Sequence, residues 1–182
     1  MKTVRVSLSA LSALAALALG GCAYNTIPYS ASAKNVEKIK GINIQPVAIE
    51  KFTAATPGKD SIACRAAGSV TVKPNFETYI EQAFIDELKI ASAYDAKAAT
   101  KLSGKIDNID FSSGITDGNW TISLTLTNGK AQSYTTKTVF PFSGSFVAEK
   151  ACQEVAQSFN PAVQKLIQDV VSDPKFKTIA SQ

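Results

Sequence analysis

The chain contains no histidine, and that absence excludes more than any residue present. It removes the commonest general base, the serine and cysteine triads built on it, and the commonest metal ligand. Charge of one sign is also scarce: 19 basic against 15 acidic side chains leave a formal +4. The lysines are dispersed, so nothing suggests the basic footprint that nucleic acid requires. Beyond the leader there is no internal repeat and no low-complexity segment. Only one loop, Gly58-Lys59-Asp60-Ser61, has a loose likeness to a phosphate-binding loop. It lacks the first glycine and the Lys-Ser/Thr spacing, and no helix pattern follows it. No cofactor and no metal are expected.

What is present begins at the amino terminus. Lys2 and Arg5 give a positive start, an apolar run follows from Leu8 to Leu19, and Gly20-Gly21 stand before Cys22. These are the three parts of an export signal. The apolar run is shorter than the roughly 20 residues that a membrane-spanning helix needs. Leu19-Gly20-Gly21-Cys22 resembles the lipobox of bacterial lipoproteins. The resemblance implies diacylglycerol on the Cys22 thiol, cleavage after Gly21 and acylation of the new amino group. Two or more acyl chains hold a protein stably on a bilayer, where one does so only marginally. Ala23 stands where the sorting rule places an inner-membrane-retaining aspartate. An outer-membrane, periplasm-facing location is expected. Loss of Lys2 and Arg5 with the leader also lowers the net charge.

Three cysteines are few enough to assign. With Cys22 carrying lipid, Cys64 and Cys152 are the two thiols left, and in an oxidising periplasm such thiols pair more often than they stay free. A Cys64–Cys152 disulfide is expected, with two buried thiols as the alternative.

Residues 1–21 read as the signal peptide, 22–39 as a flexible tether of small polar residues, and 40–182 as one domain. A first strand is expected at 41–52, where Pro46 demands an edge or a bulge. Residues 53–68 read as a long loop holding Cys64, and 69–73 as a short strand. Asn75 can cap a helix whose stripe is Phe76, Ile80, Phe84 and Leu88, with Glu81 and Glu87 expected on the solvated side. A strand from Leu102 to Phe111 changes parity near Asp107-Asn108, which calls for a bulge. The clearest strand is Asn119 to Thr127, where Trp120, Ile122, Leu124 and Leu126 alternate with Thr121, Ser123, Thr125 and Thr127. Asn128-Gly129 signals a hairpin. A three-residue loop, Asn128 to Lys130, would set Leu124 opposite Tyr134 and put Tyr134, Phe140 and Phe142 on the core face. Ala151, Val155, Phe159, Val163, Leu166 and Val170 keep one helical phase through Pro161, predicting a single helix over about 145–172. The expected fold is α+β, a two-layer sandwich. Two long helices lie on one face of a mostly antiparallel sheet of four to five strands.

Few residues offer chemistry. Asp107 and Asp110 are close in sequence and are candidates for a carboxylate pair, but with no third acidic partner and no histidine a bulge and strand surface is the better reading. Trp120 is a candidate for stacking on a sugar or peptide, but its place on the alternating apolar face marks it as core. Lys59 and Arg65 flank Cys64 and are candidates to meet anionic lipid, with a solvated loop as the plainer reading.

The order of these features carries a family resemblance. A Gly-Gly-Cys lipobox precedes a strand, then a Phe-x-x-Tyr-Ile-x-x-Ala-x-x-x-Glu-Leu helix from Phe76 to Leu88, a Leu-x-Gly strand at Leu102–Gly104, a Trp-led hairpin and a long last helix. The arrangement resembles the small α/β lipoproteins of Gram-negative envelopes, among them lipopolysaccharide-assembly, curli-secretion and transport-auxiliary lipoproteins. The resemblance implies a non-enzymatic assembly or transport accessory. It would be held on the bilayer by acylated Cys22 and would bind an envelope protein or an amphiphile. Two alternatives stand beside it: an envelope hydrolase using Asp107 and Asp110, and an inhibitor or immunity lipoprotein presenting a rigid loop around Cys64.

Overall fold

The computed structural model describes residues 23–130 and 132–181; Cys22 and the signal peptide lie outside them. The strictly alternating stretch forms β7 (Asp117–Asn128), whose even-numbered residues are buried and odd-numbered ones are not. It lies between two antiparallel neighbours, β6 (Lys101–Ser113) and β8 (Ser133–Ser143). β6 is bulged where its parity changes: Ile106 pairs with Leu124, but Asn108 pairs with Ser123. The extra residue, Asp107, lets both Ile106 and Ile109 face the core. Two short strands, β2 (Ala48–Ile49) and β3 (Thr53–Ala54), add to β6 in parallel. The sheet therefore has five strands, in the order β2-β6-β7-β8 with β3 also on β6.

The hairpin closes one pair later than expected. Leu126, not Leu124, faces Tyr134. Asn128 remains in the strand because its side chain builds the turn. Its Oδ1 accepts from the Lys130 and Gln132 N–H groups at 3.1 and 3.2 Å. The shift is an even step in parity, so Tyr134 still points inward, as expected.

Two helices cover one face of this sheet. α2 (Phe76–Ile90) starts at Asn75, whose side chain accepts from the Thr78 N–H at 2.9 Å. α3 (Ala148–Ser172) runs unbroken through Pro161, as its continuous apolar phase predicts. The space between them and the sheet is filled. Trp120 is wholly buried against Phe76, Phe111 and Phe159, with ring centroids 4.9 to 6.3 Å apart. Its indole N–H donates to the Val155 carbonyl at 3.0 Å. The Tyr134 hydroxyl donates to the Val170 carbonyl at 2.9 Å, so α3 is pinned to the sheet near both ends. After Asp173, α4 (Pro174–Ala180) docks Phe176 and Ile179 into the core.

The amino-terminal part departs from expectation. Residues 23–39 are not a tether. Ala23–Asn25 form β1, parallel to β5 (Gly68–Thr71), which pairs antiparallel with β4 (Ser61–Cys64). These make a second, three-stranded sheet, so the stretch read as one loop from 53 to 68 holds β3 and β4. α1 (Ala33–Ile42) follows β1, with Val36 and Ile39 buried. The strand expected over 41–52 is reduced accordingly. Gly41 and Ile42 end α1, Asn43 takes a left-handed conformation (φ 54°) as its cap, and only Ala48–Ile49 pair as β2. Apolar residues on both sides of Pro46 suggested a strand, whereas the helix cap decides the local path.

Candidate functional site

Three features could carry function: a buried polar cluster under the amino-terminal segment, an apolar groove above it, and an open sheet edge. The cluster begins with α2. Ile80, Ala83, Phe84 and Glu87 occupy one helical face, so Glu87 enters the interior with the apolar residues. Its Oε1 accepts from the Tyr29 hydroxyl, from the Ser32 N–H at 3.1 Å and from the Asn35 side-chain amide at 3.1 Å. Asn35 also donates to the Gln164 carbonyl at 2.8 Å, and Asn160 donates to the Ser30 hydroxyl at 3.0 Å. Residues 29–35 are thereby stitched to α2 and α3 by side chains from both helices. Burial pushes the Glu87 carboxyl above its usual range, against the three donors that favour its charged form. Burial likewise raises the Tyr29 and Tyr79 hydroxyls.

Over this cluster, residues 26–29 and the start of α2 enclose a groove of about 430 Å³. Ile27, Pro28, Tyr29, Pro74 and Tyr79 supply its apolar lining, and Lys73, Gln82 and Asp86 its polar margin. The Tyr79 hydroxyl donates to the Ile27 carbonyl at 2.9 Å, and Tyr29 and Tyr79 meet edge to face at 6.1 Å. The groove is shaped by the segment that the polar composition presented as a tether.

The edge belongs to β8. Asn128 donates its N–H to the Gln132 carbonyl, so even-numbered residues of the following strand exchange hydrogen bonds with β7. The N–H and C=O groups of Ser133, Thr135, Lys137 and Val139 consequently point away from the sheet. β8 is the last strand in the sheet order. Pro141 falls on the same outward parity, the position where an edge strand tolerates a missing donor.

The residues singled out from sequence fare differently. Cys22 lies outside the described residues. Cys64 and Cys152 form a disulfide with Cα atoms 5.8 Å apart, spanning 88 residues. Asp107 is tied down on the sheet surface: Thr125 donates to it at 2.5 Å and Lys105 pairs with it at 3.5 Å. It borders, with Glu77 and Lys59, a cavity of about 90 Å³ that Asp110 does not line. Asp110 is exposed and accepts the N–H of its neighbour Phe111. Arg65 is exposed and donates to the Ser113 and Ser145 carbonyls. Neither Glu81 nor Glu87 lies free on the surface as expected: Glu87 is buried, and half-buried Glu81 accepts the Phe52 N–H at 2.6 Å. Glu87 was findable, lying seven residues after Ile80 and three after Phe84 on the apolar template. Among the described residues no cluster of metal-ligating side chains occurs.

No protein-family profile matches the chain, and no curated protein does. Solved structures do. A Xanthomonas campestris protein of the DUF330 family is similar over 86% of this chain and 96% of its own, at 12% identity with a TM-score of 0.55. The two share a fold. A Caulobacter crescentus protein described as a candidate lipoprotein aligns over 82% of this chain and 98% of its own (11% identity, TM-score 0.40). A hypothetical protein from Chlamydia trachomatis aligns over 75% and 98% (8% identity, TM-score 0.41).

Proposed function

We propose that this protein is a non-enzymatic envelope lipoprotein, held by acyl chains on Cys22 at the periplasmic face of the outer membrane. It acts there as an assembly or transport accessory by binding another protein. The anchor is supported by the Leu19-Gly20-Gly21-Cys22 sequence. The carrying observation for protein contact is the open edge of β8, which offers alternate N–H and C=O groups from Ser133 to Val139 to an added strand. The filled interface between helices and sheet supports the same reading, because it leaves the chain's surfaces rather than its interior for binding. The hydrolase alternative needs two carboxylates converging on a substrate-sized cleft, and Asp107 and Asp110 do not line one cavity. The inhibitor alternative calls for a rigid, disulfide-held loop around Cys64. The turn there is held by Cys152, Ser113 and Ser145 as that reading needs, and a tight stoichiometric complex with an enzyme would favour it over strand addition.

The test is a photocrosslinking residue at Thr135 in the intact cell, with and without Lys137→Pro. Lys137 directs its N–H outward, so proline there removes a donor from the edge and none from the β7 ladder. The expected result is one discrete adduct that disappears with Lys137→Pro while the thermal melt is kept. No adduct, or one indifferent to Lys137→Pro, counts against strand addition.

The groove supports a second reading, binding of an amphiphile. Its volume falls in the roughly 300–1,000 Å³ range of small-molecule sites, and its lining is mostly apolar. Ile27→Glu should then abolish co-purification of lipid with the protein; lipid retained at the wild-type level rejects this reading.

A further inference from the structure

We infer that the end of the molecule around Ala23 is a membrane-docking surface, with Ile115, Phe146 and Val147 inserted into the bilayer beside the lipid-bearing residue. The inference rests on the lipoprotein reading of Cys22 and deepens it, because it fixes how the domain sits on its membrane.

The first observation is the missing tether. β1 begins at Ala23, so Cys22 is one peptide unit, about 3.8 Å between Cα atoms, from a residue held in a sheet. Acyl chains on Cys22 therefore bring the domain itself to the bilayer surface.

The second is what surrounds that point. β1 runs parallel to β5 with Ala23 opposite Ser69, and Ser69 is opposite Ala63 of β4. Ala23 thus starts at the end of the small sheet where β4 turns into β5, about two strand spacings (~10 Å) from β4. Cys64 closes β4 there and is bonded to Cys152 near the start of α3. Arg65, next in the turn, donates to the Ser113 carbonyl at 3.0 Å and to the Ser145 carbonyl at 3.0 Å. These carbonyls begin the β6–β7 turn and lie in the β8–α3 loop. The turn and the loop are joined in their own right, Gly144 donating its N–H to the Thr116 carbonyl at 2.8 Å. Three loops and the chain's attachment point are thus clamped into one end of the molecule.

The third is what those loops expose. Phe146 is 82% exposed, Ile115 61% and Val147 53%. Each costs free energy in water and gains it in an acyl layer. The exposed charges nearby, Asp117, Glu149 and Lys150, with Arg65, are balanced in sign, so apolar insertion and not attraction to anionic headgroups is the driving interaction. Of the other exposed large apolar residues, Ile90 lies at the C-terminal end of α2 near the start of β6, roughly 40 Å away along a strand of that length.

The experiment uses the mature acylated protein in vesicles of phosphatidylethanolamine and phosphatidylglycerol with brominated acyl chains, which quench tryptophan on contact. Trp120 is wholly buried and serves as an internal reference. Phe146→Trp should lose most of its added emission, and Ile90→Trp and the wild type should lose almost none. If mass spectrometry confirms acylated Cys22 and the protein floats with the vesicles, yet Phe146→Trp is as bright as Ile90→Trp, the docking surface is wrong and the anchor stands. If Cys22 is unmodified and the protein does not float, the lipoprotein reading fails, and the docking inference with it.

Discussion

Tyr29 donates its hydroxyl to Oε1 of Glu87, linking residues 58 positions apart. The bond fastens the chain between β1 and α1 to the buried face of α2. Tyr29→Phe keeps the ring on Tyr79 and removes only the donor. Loss of a hydrogen bond to a buried carboxyl group costs about 1 to 3 kcal/mol. Urea unfolding of Tyr29→Phe should show an unchanged slope and a midpoint lowered by that free energy divided by the slope.

Glu87 also makes stability depend on pH. Burial raises its carboxyl above the ordinary value of 4.5 in the folded state, so the native protein holds a proton that the unfolded chain has released. The contribution of the protonated group is complete below 4.5 and is lost as pH rises through the raised native value. Glu87→Gln cannot ionise. The difference in urea midpoint, wild type minus Glu87→Gln, should therefore fall as pH is raised from 4 through the native titration and then level off. A difference constant with pH would show that Glu87 titrates alike in both states.

These two residues also show where a sequence stops being legible. β7 is readable because Trp120 to Thr127 alternate without exception, and the bulge at Asp107 because two apolar parities must meet one core. α3 is readable through Pro161 because its apolar phase never shifts. The disulfide follows from having two thiols to pair. The small sheet has no such local signal: β1, β4 and β5 hold three or four residues each and pair across more than 40 positions in the case of Ala23 and Ser69. α1 buries Asn35, Val36 and Ile39, only two of them apolar, among polar and small residues, so its composition resembles a linker. The open edge of β8 comes from the order of strands, and the clustering of Ile115 with Phe146 from the Arg65 clamp. Both belong to tertiary structure.

Glycine substitutions separate a filled interior from open surface. A Cβ on Gly104 would lie 2.7 Å from the Phe52 ring, which is itself buried. Gly104→Ala should destabilise by about 1 to 3 kcal/mol, the usual cost of overpacking. A Cβ on Gly41 would meet nothing within 4 Å, and Gly41 lies in α1. Gly41→Ala should stabilise by about 0.5 to 1 kcal/mol, since alanine loses less backbone freedom on entering a helix. Thermal melts of the two variants should move in opposite directions. Equal shifts would mean that Phe52 can yield, or that α1 contributes little to cooperative unfolding.

Cys64 and Cys152 join the last residue of β4 to the start of α3 across 88 positions. Closing such a span in the unfolded chain is credited with about 4 to 5 kcal/mol in the loop-entropy model, an upper figure for real bonds. Both sulfurs lie at wholly buried positions, so a reductant reaches them only when the β4–β5 turn opens. The Cys64→Ala/Cys152→Ala protein should melt well below the wild type. Native wild-type protein should react with dithiothreitol slowly, and faster once urea loosens the small sheet. Arg65→Ala removes the donors to Ser113 and Ser145 without touching the sulfurs, and should speed reduction in native buffer while the melt changes little. An unchanged reduction rate in Arg65→Ala would show that the turn opens without breaking the clamp. The three loops at that end would then move independently.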